Sequence, residues 1–227
     1  MNVIVVGTKS HEAVDIVTKA GFTIVDKNPE MVICYGGDGT ILRSEHEFPG
    51  VPKVALRDSR VCKLCSPFAN EEVLKRVYKG EYKKEEVWKL EVHAKGKVLY
   101  GLNDIVIHNK DPRHAMRYTL TIDGARVGSE EIIGDGVVLA TPFGSTGYYR
   151  SIADSFFEVG IGLAFNNSTE QADHMVLRED RDIAIHIVRG PVMVYADNQT
   201  EYIEMAEGDE ARIVKSKKFA TIVKVTT

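Results

Sequence analysis

The chain has 227 residues, 44% of them hydrophobic and 27% charged, with a formal net charge of −4. That is enough apolar material for a sizeable core in one or two domains. The absence of a basic excess or stripe argues against a nucleic-acid binder, and no apolar run approaches the roughly 20 residues of a membrane span.

In chain order, MNVIVVGTKS is too short and wrongly flanked for a signal peptide and reads as a first buried strand, NVIVV. SHEAVDIVTKAG follows as a helix, with Ser10 as its N-cap and Gly21 as its stop. FTIV and MVICY are further short apolar runs. TILRSEHEF reads as helix, PKVAL as strand and ANEEVLKRVYKG as a helix closed by Gly80. Strands alternating with helices predict βα units around a parallel sheet.

Near residue 85 the texture changes. EVWKLEVHA, KVLYGLNDIVIHN, MRYTLTID, GVVLAT, DIAIHIV, PVMVYAD, TEYIEMA, EARIVK and FATIVKVT are β-rich runs separated by turn residues, with one helical candidate from Ser145 to Phe157. The expected fold is therefore an α/β N-terminal domain with a parallel sheet over 1–85 and a mostly β, sandwich-like C-terminal domain over 86–227. No repeat or low-complexity linker interrupts it.

Three cysteines, Cys34, Cys62 and Cys65, in a chain that needs no staples point to a reducing cytoplasm. Cys62 and Cys65 form a single CxxC with no second ligand pair for zinc; they read as ordinary reduced thiols, with a redox pair as the alternative. His108, His114 and His174 lack metal spacing and read as surface residues, while Trp88, Phe156 and Phe157 read as core.

The first motif with chemistry is VICYGGDGTILRS. Gly36, Gly37 and Gly39 let another molecule approach the backbone, and the peptide N–H groups leading into the next helix form an anion cradle suited to phosphate. Thr40 is a candidate cap. A carboxylate, Asp38, is repulsive beside phosphate unless it holds a divalent cation or accepts a proton from an attacking hydroxyl. The plainer alternative is a tight turn with a capping aspartate. Neither GK[ST] nor GxGxxG is present, so a Walker A or Rossmann loop is excluded.

A second cluster, GDGVVLATPFGSTGYYRS at 134–151, repeats the grammar of glycine turn, buried strand and helix start, with Ser145 and Thr146 as cap candidates and the Tyr148 ring free to stack. Upstream, GLNDIVI places Asn103 and Asp104 at the head of a strand, where they can fork onto a ribose or amide.

GGDGT at 36–40, LND at 102–104 and the 134–151 cluster, taken together, resemble the NAD kinase family. The resemblance implies two domains with an active site in the cleft between them. It implies phosphoryl transfer from ATP or polyphosphate to the 2′-hydroxyl of the adenosine ribose of NAD, with Mg²⁺ or another divalent cation, in a homo-oligomer. Carried onto this chain, Asp38 would activate that hydroxyl or help place the metal, and Gly36, Gly37, Gly39 and Thr40 would meet the phosphates. Asn103 and Asp104 would bind NAD on its adenine and diphosphate side, and Asp135 its nicotinamide end. Thr146, Gly147, Tyr148 and Ser151 would line the adenine and ribose pocket.

Several positions depart from the family pattern. Asp104 stands for a glutamate and Gly147 for an alanine. ALRDSRVCKLCSPF replaces a glycine-rich segment and adds Arg57, Arg60 and Lys63, which either neutralise phosphates or form a solvated face. Asp197–Asn198 stands for an Asp–Gly pair, and a proline-rich stretch is missing around GLAFNNSTEQADHM. Two other readings remain: a GGDGT-type kinase acting on another alcohol such as a lipid head group, and a non-catalytic NAD-binding regulator.

Overall fold

A computed structural model describes residues 1–58, 62, 64–169 and 174–226, except for the side chains at 129 and 130. The first elements are β1 (Asn2–Val6), α1 (Ser10–Lys19), β2 (Thr23–Ile24), β3 (Met31–Gly36), α2 (Asp38–Glu47), β4 (Lys53–Arg57) and α3 (Asn70–Tyr78). They are followed by β5 (Tyr82–Ala94), β6 (Lys97–Gly101), β7 (Asp104–Asn109), β8 (Met116–Ile122), β9 (Ala125–Gly134) and β10 (Gly136–Ala140). The chain ends with α4 (Tyr148–Ala153), β11 (Ile161–Asn166), β12 (His174–Leu177), β13 (Ile183–Arg189), β14 (Val192–Ala196), β15 (Tyr202–Met205) and β16 (Glu210–Val225). Two units result: residues 1–87 together with 219–227, and residues 88–218.

In the first unit the strands run in the order β2-β1-β3-β4, all parallel, and Ile222 of β16 adds beside Lys53 on the far side of β4. The end of the chain thus belongs to this unit rather than to the C-terminal domain expected over 86–227. Helices cover a parallel sheet on both faces, which is why Met31 to Cys34 are buried without alternation. Ala13 and Val17 of α1, and Val73, Leu74 and Val77 of α3, supply the apolar stripes at helical spacing. Gly21 and Gly80, at φ +96° and +79°, close α1 and α3 as expected. Ser10 is the first helical residue, not the cap; Lys9 occupies the N-cap position.

β1 has β2 on one side and β3 on the other, so the strand order reverses between β1 and β3. In open α/β sheets, ligands bind outside the carboxyl ends of the strands at such a reversal. Here those ends carry Gly7 and Gly36–Gly37. At Gly7, φ is +153° and an added Cβ would come closer than 3.0 Å to Tyr35 O, so only glycine lets the two strand ends close up.

In the second unit an antiparallel sheet runs β12-β11-β10-β7-β14-β15, and β13, β8, β9 and the first part of β16 form a second layer with the β5–β6 hairpin. Both layers contribute to one core that includes Leu90, Ile105, Tyr118, Leu139, Ile185 and Val194. β8 and β13 alternate between buried and half-buried residues, as a one-sided strand should, whereas every residue of β10 is buried. The outer side of β10 is covered by a smaller cluster in which Tyr149 of α4 packs with Ala140 and Ala164. The expected helix from Ser145 to Phe157 is only the six residues of α4, and EARIVK with FATIVKVT forms one 16-residue strand. Phe156 is 58% exposed, contrary to its reading as core, while Phe157 packs edge-on against Tyr149 at 4.9 Å. Among the described residues, no helix is long and apolar enough to cross a membrane.

Candidate functional site

The GGDGT loop joins the carboxyl end of β3 to α2. Gly37 is the N-cap, in extended conformation, and Asp38 is the first helical residue. Thr40 lies inside the first turn and its N–H donates to Gly37 O at 3.0 Å, so the expected Thr40 cap is corrected. Its hydroxyl fills the space above Gly36, where an added Cβ would come within 3.0 Å of Thr40 Oγ1. A helix start of this kind carries partial positive charge, which favours both the Asp38 carboxylate and an incoming anion.

Asp38 Oδ1 accepts the Leu64 N–H at 3.1 Å, and Cys62 Sγ lies 3.4 Å from the same oxygen. Cys62 is joined to Cys65 in a disulfide, so its sulfur has no proton to donate. This corrects the expectation of ordinary reduced thiols: the loop after β4 brings the two Cα atoms to 5.4 Å, within bonding range. Arg57 Nη2 donates to Cys62 O at 3.3 Å, and the Asn70 side chain clasps the Arg57 backbone at both N and O. Arg60 and Lys63 lie outside the described residues.

In the second unit, Asn103 and Asp104 sit at the head of β7 under a single carboxylate. Asp197, in the left-handed region at φ +51° just after β14, accepts N–H from Leu102 at 2.8 Å on Oδ2, and from Asn103 at 2.7 Å and Asp104 at 3.2 Å on Oδ1. The Asp197 N–H returns a bond to Asp104 O. Asp104 is 7% exposed. Burial, reinforced by the charge on Asp197, pushes the Asp104 carboxyl up to about 7. Burial also raises Asp197, against the pull of its three backbone donors and of Lys89.

The TPFGST turn is pinned to the same loop. Thr141 donates through N to Asn103 O at 2.8 Å and through Oγ1 to Leu102 O at 2.6 Å, and it accepts the Gly144 N–H at 3.1 Å. A Cβ on Gly144 would run into Asn103 O. Ser145 Oγ donates to Pro142 O at 2.9 Å, and Gly147 is the N-cap of α4, so the cap expected from Ser145 or Thr146 is not formed. Gly147 lies beside the Asn103 amide: a Cβ there would be 3.8 Å from Asn103 Nδ2 and 3.1 Å from Gly144 O.

Tyr148 is 39% exposed, and its hydroxyl accepts the Asn166 Nδ2 amide at 3.1 Å. Desolvation, then the charges of Asp104 and Asp135, raise its phenol. Asp135 is reached through the same strand: its N–H donates to Asn166 O at 2.9 Å, and its carboxylate accepts from Asn109 Nδ2 at 3.2 Å and Asn167 Nδ2 at 2.7 Å. The fold thus gathers Asn103, Asp104, Gly147, Tyr148 and Asp135 around the ends of β7, β10 and β11. Ser151 is not drawn in, since its hydroxyl bonds back to Tyr148 O. Residue-by-residue reading missed Asn109, Asn166 and Asn167, whose only mark is a position at the end of an apolar run.

A parallel sheet with an aspartate at a helix start beside its reversal, joined to a β-sandwich whose polar cluster is tied to one turn, defines a two-part α/β and β-sandwich class. The crystal structure of yeast NADH kinase complexed with NADH shares this fold at a TM-score of 0.85 and 21% identity, over 100% of this chain and 84% of that one. An NAD kinase from Archaeoglobus fulgidus in complex with ATP does so at 0.80 and 23%, over 99% and 94%. Residues 102–225 match the ATP-NAD kinase C-terminal domain, and the chain belongs to the NAD kinase family. It is 38% identical over 143 residues to an NAD kinase of Saccharolobus islandicus, a match spanning 62% of this chain and 55% of that relative. The chain thus spans about half the length of the curated relatives it matches.

Proposed function

We propose that the chain is an NAD kinase that transfers the terminal phosphoryl group of ATP or polyphosphate to the 2′-hydroxyl of the adenosine ribose of NAD. The observation that carries this is the position of Asp38, on the first turn of α2 at the carboxyl end of β3, beside the reversal of the parallel sheet. There the backbone N–H groups hold donor phosphates while the carboxylate takes the proton of the attacking hydroxyl. A carboxylate in this role suits a transfer carried mainly by positioning and charge. Asn103, Asp104, Thr146, Gly147, Tyr148 and Asp135 bind the dinucleotide, and Tyr148 offers a partly exposed ring for stacking.

Among the described residues, no three carboxylate, histidine or cysteine side chains converge into a metal cage. In this reading the divalent cation arrives on the donor phosphates and keeps its own water, as Mg²⁺ commonly does. Such a cation would neutralise charge on the transferred group. Homo-oligomer formation and a cytoplasmic setting belong to the same proposal.

The test is to incubate the protein with NAD, Mg²⁺ and either ATP or polyphosphate, and to measure NADP. Asp38→Asn is expected to abolish NADP formation with little change in NAD binding. NAD binding without NADP from either donor would sink the reading, and near-wild-type turnover by Asp38→Asn would remove Asp38 from the chemistry.

A further inference from the structure

The disulfide is placed where it can act on Asp38. Cys62 is 6% exposed, with its sulfur 3.4 Å from Asp38 Oδ1, and Leu64 within the ring donates its N–H to the same oxygen. Cys65 Sγ lies 3.8 Å from Gly36 O of the same GGDGT loop. Cys65 also lines a cavity of about 190 Å³, with Leu64, Ser66, Pro67, Val54 and Val223. The third cysteine takes no part: Cys34 is buried, its thiol is pushed up to about 12 by desolvation, and it faces Ser44 at 3.2 Å.

We propose that Cys62–Cys65 is a thiol–disulfide exchange site for a small dithiol, and that its redox state sets how firmly Asp38 is held. A thiolate of the dithiol attacks Cys65 Sγ from the cavity. The S–S bond breaks, the electron pair leaves on the Cys62 sulfur, and that sulfur takes a proton from water. The second thiol of the reagent then closes onto the first, releasing Cys65 and leaving the reagent as a cyclic disulfide. Two electrons and two protons have passed to the protein. Negative charge develops on Cys62 beside the Asp38 carboxylate, so this step is slowed by repulsion. Once reduced, Cys62 has an S–H that can donate to Oδ1, and Leu64 is no longer held in a closed ring. The first ties the Asp38 carboxylate into a weak S–H hydrogen bond that competes for the lone pair it needs as a base, and the second releases the Leu64 N–H that held it, so the oxidised arrangement of Asp38 is lost.

The first readout needs no activity. The oxidised protein is reduced with dithiothreitol, and freed thiols are counted by alkylation and mass. Two labels, at Cys62 and Cys65, are expected, with Cys34 silent until unfolding. Asp38→Asn is expected to speed reduction at least threefold. In wild type, cationic cysteamine should open the disulfide faster than anionic mercaptoacetate, a comparison that needs no variant. Label on Cys62 and Cys65 before reduction, or equal rates across both comparisons, would overturn the site. The second readout rests on the kinase reading: NADP formation should fall at least fivefold on reduction in wild type, and should not respond to dithiol in the Cys62→Ser, Cys65→Ser variant. Unchanged turnover with both thiols labelled would overturn control of Asp38. Absence of NADP in both redox states would instead count against the kinase reading, leaving the exchange rates to decide the site.

Discussion

Replacing Asp104 by asparagine is expected to stabilise the protein, and to do so more as pH rises. The carboxyl is 7% exposed, and among the described residues it takes no hydrogen bond; the charge that acts on it is that of Asp197. Its pKa goes from 3.8 to about 7 on folding. An acid whose folded-state pKa is raised binds its proton more tightly in the native state, so stability falls as pH climbs from the unfolded value to the folded one, and levels off above. At about 1.4 kcal/mol per unit the cost is about 1.5 kcal/mol near pH 5 and about 4 kcal/mol near pH 8. Asp104 rather than Asp197 takes the proton, because three backbone N–H groups support the charge on Asp197. A neutral amide of the same shape removes the cost. Thermal unfolding followed by the single tryptophan, Trp88, which packs on the core of the second unit, reports the difference. At about 2–4 °C per kcal/mol, the advantage of Asp104→Asn should be about 5–10 °C larger near pH 8 than near pH 5. An equal shift at both pH values, or a variant less stable than wild type near pH 8, would refute the reasoning, because it would mean that the native fold supports an ionised Asp104.

Gly144→Ala places a methyl against Asn103 O, a backbone atom that cannot swing away. It should cost about 1–3 kcal/mol in urea unfolding and weaken NAD binding by displacing Asn103; full affinity would show that Asn103 does not face the ligand. Glu45→Gln breaks the ion pair with Lys53, whose side chains are 3% and 0% exposed, and leaves a buried ammonium. A loss of about 3–5 kcal/mol is expected in denaturant titration, with the midpoint moving and the slope unchanged.

The fold was legible where one physical rule dominated. Buried parallel strands show unbroken apolar runs, so β1, β3 and β4 stood out, and Gly21 and Gly80 marked helix ends because their positive φ suits glycine. β11 and β12 did not stand out. IGLAFN is buried on both faces because α4 covers one of them, and nothing within six residues reveals a cover that lies elsewhere in the chain. The middle of β16 reads SKK, which suggested a break between two strands. It falls close to where the chain passes from one unit to the other, so one end of the strand pairs β13 and the other meets β4.

The site divides in the same way. GGDGT and TPFGST were readable because glycine, proline and threonine there serve the turn itself, through contacts within a few residues or with the neighbouring loop. Asp197 lies 93 to 95 positions from the three amides it binds, and only the pairing of β14 with β7 brings it there. Its role follows from that pairing: antiparallel neighbours put the end of β14 beside the start of β7, and an aspartate able to adopt φ +51° can turn its carboxylate under that start. Asp38 combines both cases. Its place at the start of α2 is local and was legible, but the contact with the Cys62–Cys65 ring crosses from the end of β3 to the end of β4 and required the fold. Where the family pattern has backbone-only glycines, this chain has a covalent ring against the same carboxylate.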